Sequence, residues 1–89
     1  MEIKSIGIVG AGAMGAGIAQ VFLVTGYEVL LLDQNEAALS KAQESIRFGL
    51  NKLAEKGKMS GQETEAAFGR LYLISKTANF EKCELVIEA

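Results

Sequence analysis

The chain has 89 residues, 49% of them hydrophobic, with nine Lys and Arg against eleven Asp and Glu and a formal charge of −2. This composition predicts one globular domain, with neither the basic surface that nucleic-acid binding needs nor the roughly 20 consecutive apolar residues of a membrane span. Because the chain has no histidine and one cysteine, it lacks the usual general base and the ligand set of a zinc site, so we predict no catalytic or metal-binding residue in it.

The first part of the chain predicts a strand, a helix and a second strand. Residues 3–9 are rich in β-branched side chains and are followed by a glycine cluster, as in a buried strand. Apolar positions then recur at steps of three and four from Ala13 to Thr25, and Gly26 follows where a helix would end. Residues 28–32 form a second apolar run that closes with Asp33, the pattern of a parallel strand covered on both faces. The apolar positions of the helix are Met14, Ile18, Val21, Phe22 and Thr25.

A helical hairpin is predicted next. Asn35 can cap a long helix over about residues 36–56, and Gly57 would end it. The Ser-x-x-Glu spacing of residues 60–63 is that of a capping box, which opens a short helix to about Phe68. The two helices would lie against each other as a hairpin.

Two further apolar runs, residues 70–75 and 84–88, predict a third and a fourth strand, with room for one helical turn within residues 77–83. The order is then β-α-β-α-α-β-β with apolar strands that do not alternate, which favours a parallel sheet with helical crossovers. Right-handed crossovers give the strand order 3-2-1-4 of one mononucleotide-binding half of a Rossmann-type α/β fold, with the hairpin as an insertion. The alternative, an α+β domain with an antiparallel sheet, predicts alternating strands and dipeptides such as Asn-Gly, and neither is present.

A G-x-G-x-x-G motif lies between the first strand and the first helix. In that place its first glycine permits a tight turn, its second lets the backbone approach a pyrophosphate, and its third lets the helix pack closely on the strand. Free N–H groups at the start of the helix would face the phosphates. A close-packing turn without a ligand is the alternative interpretation. The motif consists of Gly10, Ala11, Gly12, Ala13, Met14 and Gly15.

Asp33 follows the second strand, eighteen residues beyond Gly15. A carboxylate in this place can accept hydrogen bonds from the hydroxyl groups of an adenosine ribose. It also repels a 2′-phosphate, and the neighbouring Gln34 and Asn35 offer no cation, so we predict NAD rather than NADP as the cofactor. A flavin or S-adenosylmethionine site would use the same two features. A plain helix N-cap is the structural alternative for Asp33.

Longer stretches of the sequence resemble one family. Ile8–Gln20, Thr25–Val29, Leu53–Lys58 and Leu85–Ala89, together with Asp33, are similar to the N-terminal domain of the L-3-hydroxyacyl-CoA dehydrogenases, and most of all to the bacterial 3-hydroxybutyryl-CoA dehydrogenases. The Met-Gly-x-Gly-Ile-Ala continuation and the helical hairpin go beyond the general dinucleotide-binding motif. The resemblance covers the whole chain.

The resemblance implies roles for particular residues. Residues 10–15 would hold the pyrophosphate of NAD, Asp33 with the adjacent Gln34 would hold the adenosine ribose, and Ala89 would lie at the nicotinamide-ribose end. In the family the long helix also contacts coenzyme A through a serine and a lysine. Lys56 stands at the lysine position, whereas a glycine, Gly49, stands where the serine is expected. A solvated cation at the helix end is the alternative interpretation of Lys56.

The resemblance also implies what residues 1–89 do not contain. The family's catalytic histidine, glutamate, serine and asparagine would lie beyond Ala89, as would the helical domain that makes most of the dimer contact. We therefore expect a truncated NAD-binding half-domain, inactive alone, of an enzyme that transfers a hydride between 3-hydroxyacyl-CoA and NAD. The acyl-CoA substrate would be bound only in the full-length enzyme. The alternative is a stand-alone minimal module, engineered or isolated, that self-associates and has no catalytic activity.

The predicted fourth strand would present an apolar edge with unpaired backbone groups. This predicts a homo-oligomer, formed through edge pairing or through exchange of an element between chains. No secretory signal is recognisable, and Cys83 alone cannot form an intrachain disulfide, so we expect a cytoplasmic protein. Neither a nucleic acid nor a membrane is an expected partner.

Overall fold

The computed structural model describes residues 4–75, 83 and 85–89. Within them, the strands form one parallel sheet in the order β3-β2-β1-β4. The predicted α/β class, element order and strand order are confirmed. The helical turn predicted within residues 77–83 lies, apart from Cys83, outside the described residues. The elements are β1 (Ser5–Val9), α1 (Ala13–Thr25), β2 (Glu28–Leu32), α2 (Glu36–Glu55), α3 (Gly61–Gly69), β3 (Leu71–Ile74) and β4 (Leu85–Glu88).

Local capping interactions fix the helix ends where the sequence predicts them. Gly26 ends α1 with a φ of 112°, and its N–H donates to the carbonyl oxygens of two residues of the last turn. The side chain of Asn35 accepts two backbone N–H groups at the start of α2. Ser60 and Glu63 form both hydrogen bonds of a capping box at the start of α3. Gly57 follows α2 with a φ of 73°.

The three helices cover one face of the sheet. Alternate residues of the two central strands point into this layer, and the small and aliphatic side chains of the helices pack on them. No helix in the described ranges is long and apolar enough to cross a membrane. The core consists of Ile6, Ile8, Val29 and Leu31 from the sheet and of Ala16, Ala19, Leu23, Leu39, Ala42, Ile46, Leu50 and Ala67 from the helices.

The buried side of α1 differs from the apolar positions that gave its periodicity. Met14 and Val21 are 69% and 63% exposed, and the buried residues of the helix are Gly15, Ala16, Ala19 and Leu23. Small residues on the inner side let the helix axis approach the sheet closely, so the larger side chains at Met14 and Val21 are left outside. The predicted helix is confirmed, and its buried side consists of small residues and Leu23.

The opposite face of the sheet carries a second set of side chains in register. Gly7 pairs with Leu30 and Val86, and Leu30 pairs with Tyr72. Tyr72 and Val86 are each 48% exposed, and no helix within the described ranges covers them. The residues that carry the sequence motifs lie at the carboxyl edge of the sheet, next to the helix-covered face.

Candidate functional site

The carboxyl ends of β1 and β2 lie side by side and lead into the two turns that carry the motifs. Val9 pairs with Leu32 at the ends of these strands, and the N–H of Gly10 donates to the carbonyl oxygen of Leu32 at 2.8 Å. In open parallel sheets, ligands bind at the carboxyl edge, where the direction of the strand order changes. That change falls between β1 and β4, and the glycine motif begins there.

The backbone conformation and the close packing of the chain leave no room for a side chain at two of the three motif glycines. Gly10 has a φ of 106°, which disfavours any side chain, and a Cβ there would lie 2.8 Å from the carbonyl oxygen of Ala89. A Cβ at Gly15 would lie 2.9 Å from the carbonyl carbon of Gly10 and closer still to its oxygen. Gly12 is different, because a Cβ there would meet no described atom within 4 Å. The space above Gly12 is therefore open to a molecule from outside the chain.

The first turn of α1 leaves its backbone N–H groups available. Gly12 is the N-cap, with no side chain to accept a hydrogen bond, and the turn contains no acidic residue. The other two helices have both, with Asn35 and Glu36 at α2 and the capping box at α3. The free N–H groups and the helix dipole give this end of α1 a partial positive charge that suits a phosphate. The open space above Gly12 and this partial positive charge are the features that an anion-binding turn requires.

Asp33 connects the glycine turn to the start of α2. Its Oδ2 accepts the N–H of Ala11 and its Oδ1 accepts the N–H of Asn35, both at 2.9 Å. These two hydrogen bonds lower the pKa of the Asp33 carboxyl below its ordinary value, against a smaller opposing effect of burial. The helix N-cap is Asn35, so the interpretation of Asp33 as a plain N-cap is wrong. Each carboxylate oxygen keeps a lone pair for a further donor, such as a ribose hydroxyl.

The structure brings Gln34 and Ala89 to this edge of the sheet. Gln34 is exposed in the turn that follows Asp33. Ala89 follows β4, and its N–H donates to the carbonyl oxygen of Val9 at 2.9 Å. Ala89 also lies against Gly10, since a Cβ added at Gly10 would be 2.8 Å from the carbonyl oxygen of Ala89. All the residues predicted to contact the cofactor therefore lie along one edge.

Lys56 lies elsewhere. It is the exposed C-cap of α2, and the 20 residues of that helix span roughly 30 Å. The glycine turn lies near the other end of α2, so the structure does not bring Lys56 next to it.

At Gly49, a Cβ would lie 2.6 Å from Cδ of Gln20 and closer to its Oε1. The Gln20 side chain thus takes the space that a serine side chain at this position would need.

A cleft between α1 and α2 opens at the glycine turn and was not predicted. It encloses about 240 Å³, and its walls include Gly12 and Ala13 of the motif and two residues with polar side chains, Lys41 and Ser45. The signal in the sequence was the pair Ala38 and Ala42, whose spacing of four puts small residues on one side of α2. Recognising the cleft required knowing which part of α1 they face.

A cavity of about 500 Å³, larger than the cleft at the glycine turn, lies on the other face of the sheet. None of the predicted site residues is among those that line it. Burial raises the pKa of its Cys83 thiol, which favours the unreactive protonated form. Within the described ranges, no three Asp, Glu or Cys side chains come together as metal ligands would. The walls of this cavity include Ser5, Glu28, Leu30, Tyr72, Ile74 and Cys83.

Comparison with known proteins gives a family match over nearly the whole chain. A family model described as "3-hydroxyacyl-CoA dehydrogenase, NAD binding domain" matches residues 5–89. A probable 3-hydroxybutyryl-CoA dehydrogenase of Deinococcus radiodurans is 40% identical over 83 residues, which are 93% of this chain and 30% of the relative. A 3-hydroxyadipyl-CoA dehydrogenase of Escherichia coli is 34% identical over 89 residues, 100% of this chain and 19% of the relative.

Solved structures agree with the sequence matches. FadB2 of M. tuberculosis superimposes with a TM-score of 0.93 at 34% identity, over 100% of this chain and 31% of that protein. The (S)-3-hydroxybutyryl-CoA dehydrogenase PaaH1 of Ralstonia eutropha gives a TM-score of 0.92 at 34% identity, over 99% of this chain and 31% of that protein. The chain thus spans about a third or less of the length of these relatives.

Proposed function

The chain belongs to the family of the NAD-binding domains of 3-hydroxyacyl-CoA dehydrogenases, and we propose that it forms the NAD-binding part of a 3-hydroxybutyryl-CoA-type dehydrogenase. Because the matching family is an NAD-binding domain, we assign NAD to the site rather than a flavin or S-adenosylmethionine. The observation that carries the proposal is the uncapped start of α1, with open space above Gly12 and the Asp33 carboxylate beside the same turn.

In this proposal the chain binds NAD through its backbone and one carboxylate. The N–H groups at the start of α1, within residues 10–15, donate to the pyrophosphate. Asp33, with Gln34 next to it, accepts the hydroxyl groups of the adenosine ribose, and its negative charge disfavours the 2′-phosphate of NADP. Ala89 lies beside the nicotinamide-ribose end. When bound, NAD supplies the hydride acceptor of the reaction.

The reaction we assign to the whole enzyme is reversible hydride transfer between the C3 hydroxyl of a 3-hydroxyacyl-CoA and NAD. The sequence contains no histidine, so the group that takes the hydroxyl proton would come from residues other than these 89. Lys56 is an exposed cation at the end of α2 and would contact coenzyme A there. Gly49 has no hydroxyl to add to that contact. We accordingly expect the 89-residue chain to bind NAD without catalysing the reaction.

The assembly state and compartment follow from two other features. Val86 and Leu85 of β4 are 48% and 44% exposed, and this apolar strand would pair with a second copy at its edge or exchange an element with it. Cys83 is half-buried and forms no disulfide, which suits a reducing cytoplasm.

Calorimetric titration of the chain with NAD and with NADP tests the proposal. We expect NAD to bind more tightly than NADP, and the Asp33→Ala variant to lose most of that preference. Equal affinity for the two cofactors in the unmodified chain would contradict the role of Asp33. A parallel assay with 3-hydroxybutyryl-CoA and NAD should detect no turnover, and turnover by the chain alone would refute the assignment of the catalytic groups to other residues.

A further inference from the structure

The cleft between α1 and α2 contains a cation and a hydroxyl group that the proposed function does not use. Lys41 and Ser45 are one turn apart on α2, both are exposed, and both line the cavity that Gly12 and Ala13 line from the other side. Most of the remaining wall is alanine. The backbone N–H groups of the glycine turn and these two polar side chains therefore share one small space.

The charges around the glycine turn show why a cation matters there. The sequence of α1 contains no charged residue, and no acidic side chain neutralises its first turn. Asp33 is held ionised beside the turn by the N–H groups of Ala11 and Asn35, and its negative charge opposes the approach of a phosphate. Of the described residues that line the cleft, Lys41 alone is charged. Among the described residues the recorded ion pair is Arg47 with Glu65, so Lys41 is not committed to a carboxylate.

We propose that Lys41 and Ser45 form a phosphate-binding subsite beside the N–H groups of Gly12 and Ala13. The ammonium group and the hydroxyl donate to phosphate oxygens, and the partial positive charge at the start of α1 favours the same phosphate from the other wall. The inference rests on the proposed function, because phosphate groups are what NAD and coenzyme A have in common. The ligand is thus a phosphate of a nucleotide coenzyme, either the pyrophosphate of NAD or the phosphates of coenzyme A.

The test compares Lys41→Gln with Lys58→Gln. Lys58 is an exposed lysine beyond the end of α2 and does not line the cleft, so both variants lose one surface charge and differ only in place. Each is titrated calorimetrically with NAD and, separately, with coenzyme A, and thermal unfolding of each variant confirms that it folds. For at least one ligand, Lys41→Gln should weaken binding by about 3- to 10-fold and Lys58→Gln by less than about 2-fold. Lys41→Arg should keep the affinity, and Ser45→Ala should weaken the same ligand by about 2- to 5-fold.

The two titrations identify the source of the phosphate. A loss for NAD assigns the subsite to its pyrophosphate, and a loss for coenzyme A alone assigns it to that coenzyme. Where Lys41→Gln and Lys58→Gln behave alike with both ligands, the subsite is overturned, while NAD binding by the unmodified chain still supports the proposed function. Absence of NAD binding with a Lys41 effect on coenzyme A would overturn the proposed function and keep the subsite. An unmodified chain that binds neither ligand would overturn both.

Discussion

Replacing Gly15 by alanine should destabilise the contact between α1 and β1, whereas the same change at Gly17 should stabilise the fold. A methyl group at Gly15 would meet the backbone of Gly10, 2.9 Å from its carbonyl carbon and closer to its oxygen. The turn that contains Gly10 is fixed by its hydrogen bond to Leu32, so this backbone cannot move aside without loss of that bond. Gly17 is exposed in the same helix, and an added Cβ would meet no described atom within 4 Å.

Gly15→Ala and Gly17→Ala should change the free energy of unfolding in opposite directions, because only the first creates a steric clash while both raise helix propensity. Overpacking costs about 1 to 3 kcal/mol, and contact with backbone rather than with a flexible side chain puts Gly15→Ala at the upper end. Alanine returns up to about 1 kcal/mol in a helix, so the net loss is about 2 kcal/mol or more. An 89-residue domain has about 4 to 13 kcal/mol of stability to lose. Gly17→Ala has no such clash, so the higher helix propensity of alanine should stabilise the fold by about 0.5 to 1 kcal/mol.

Urea unfolding followed by circular dichroism measures both effects, and Gly12→Ala adds the test of binding. A Cβ at Gly12 meets no described atom within 4 Å, so this variant should lose less than about 1 kcal/mol of stability, through its poorer N-cap. The methyl group would nevertheless stand where the pyrophosphate approaches, and NAD affinity should fall by about 10-fold or more. Equal stabilities for Gly15→Ala and Gly17→Ala would refute the packing argument. Unchanged NAD affinity in Gly12→Ala would refute the binding argument.

Three other predictions concern pH, capping and assembly. Because the pKa of Asp33 is lowered in the fold, its ionised carboxylate stabilises the fold above the ordinary value of 3.8, and this contribution is lost as pH falls through the lowered pKa. The free energies of unfolding of the unmodified chain and of Asp33→Asn, measured in urea, should therefore converge below about pH 4. A difference between them that does not change with pH would argue against this role of Asp33. Ser60→Ala should cost about 1 kcal/mol by removing the capping box, with NAD affinity unchanged, while Ser40→Ala, at an exposed position within α2, should cost nothing. Val86→Lys should lower the mass measured by light scattering at high protein concentration, and a monomeric unmodified chain would contradict self-association.

The parts of the fold that the sequence predicts well depend on neighbouring residues. Gly26, Asn35 and Ser60 each satisfy backbone groups within about four positions of themselves, so their residue types identify the helix ends directly. The parallel sheet follows from apolar strands separated by helices, since few topologies fit that order. For the same reason, the sequence alone predicts that the glycine motif and Asp33 lie at one edge of the sheet.

Features that join distant segments could not be read in this way. The Arg70 guanidinium donates to the carbonyl oxygens of Leu23 at 2.6 Å and of Tyr27 at 3.3 Å, across 47 and 43 residues of sequence. These bonds connect the residue before β3 to the last turn of α1 and to the turn that follows it, a connection that no local pattern indicates. The exposure of Met14 depends on how closely α1 approaches the sheet, and the place of Lys41 depends on how α2 packs on α1. These are consequences of tertiary packing, which periodicity alone does not encode.

Amide NMR spectra recorded during a titration with NAD test most directly whether the glycine turn at the carboxyl edge of the sheet binds NAD. We predict the largest chemical-shift changes at the backbone N–H groups of residues 11–15 and of Asn35, whose N–H is bonded to Asp33. Residues around the larger cavity, such as Tyr72 and Cys83, should change little. Changes concentrated at that cavity, with none at residues 11–15, would contradict NAD binding at the glycine turn.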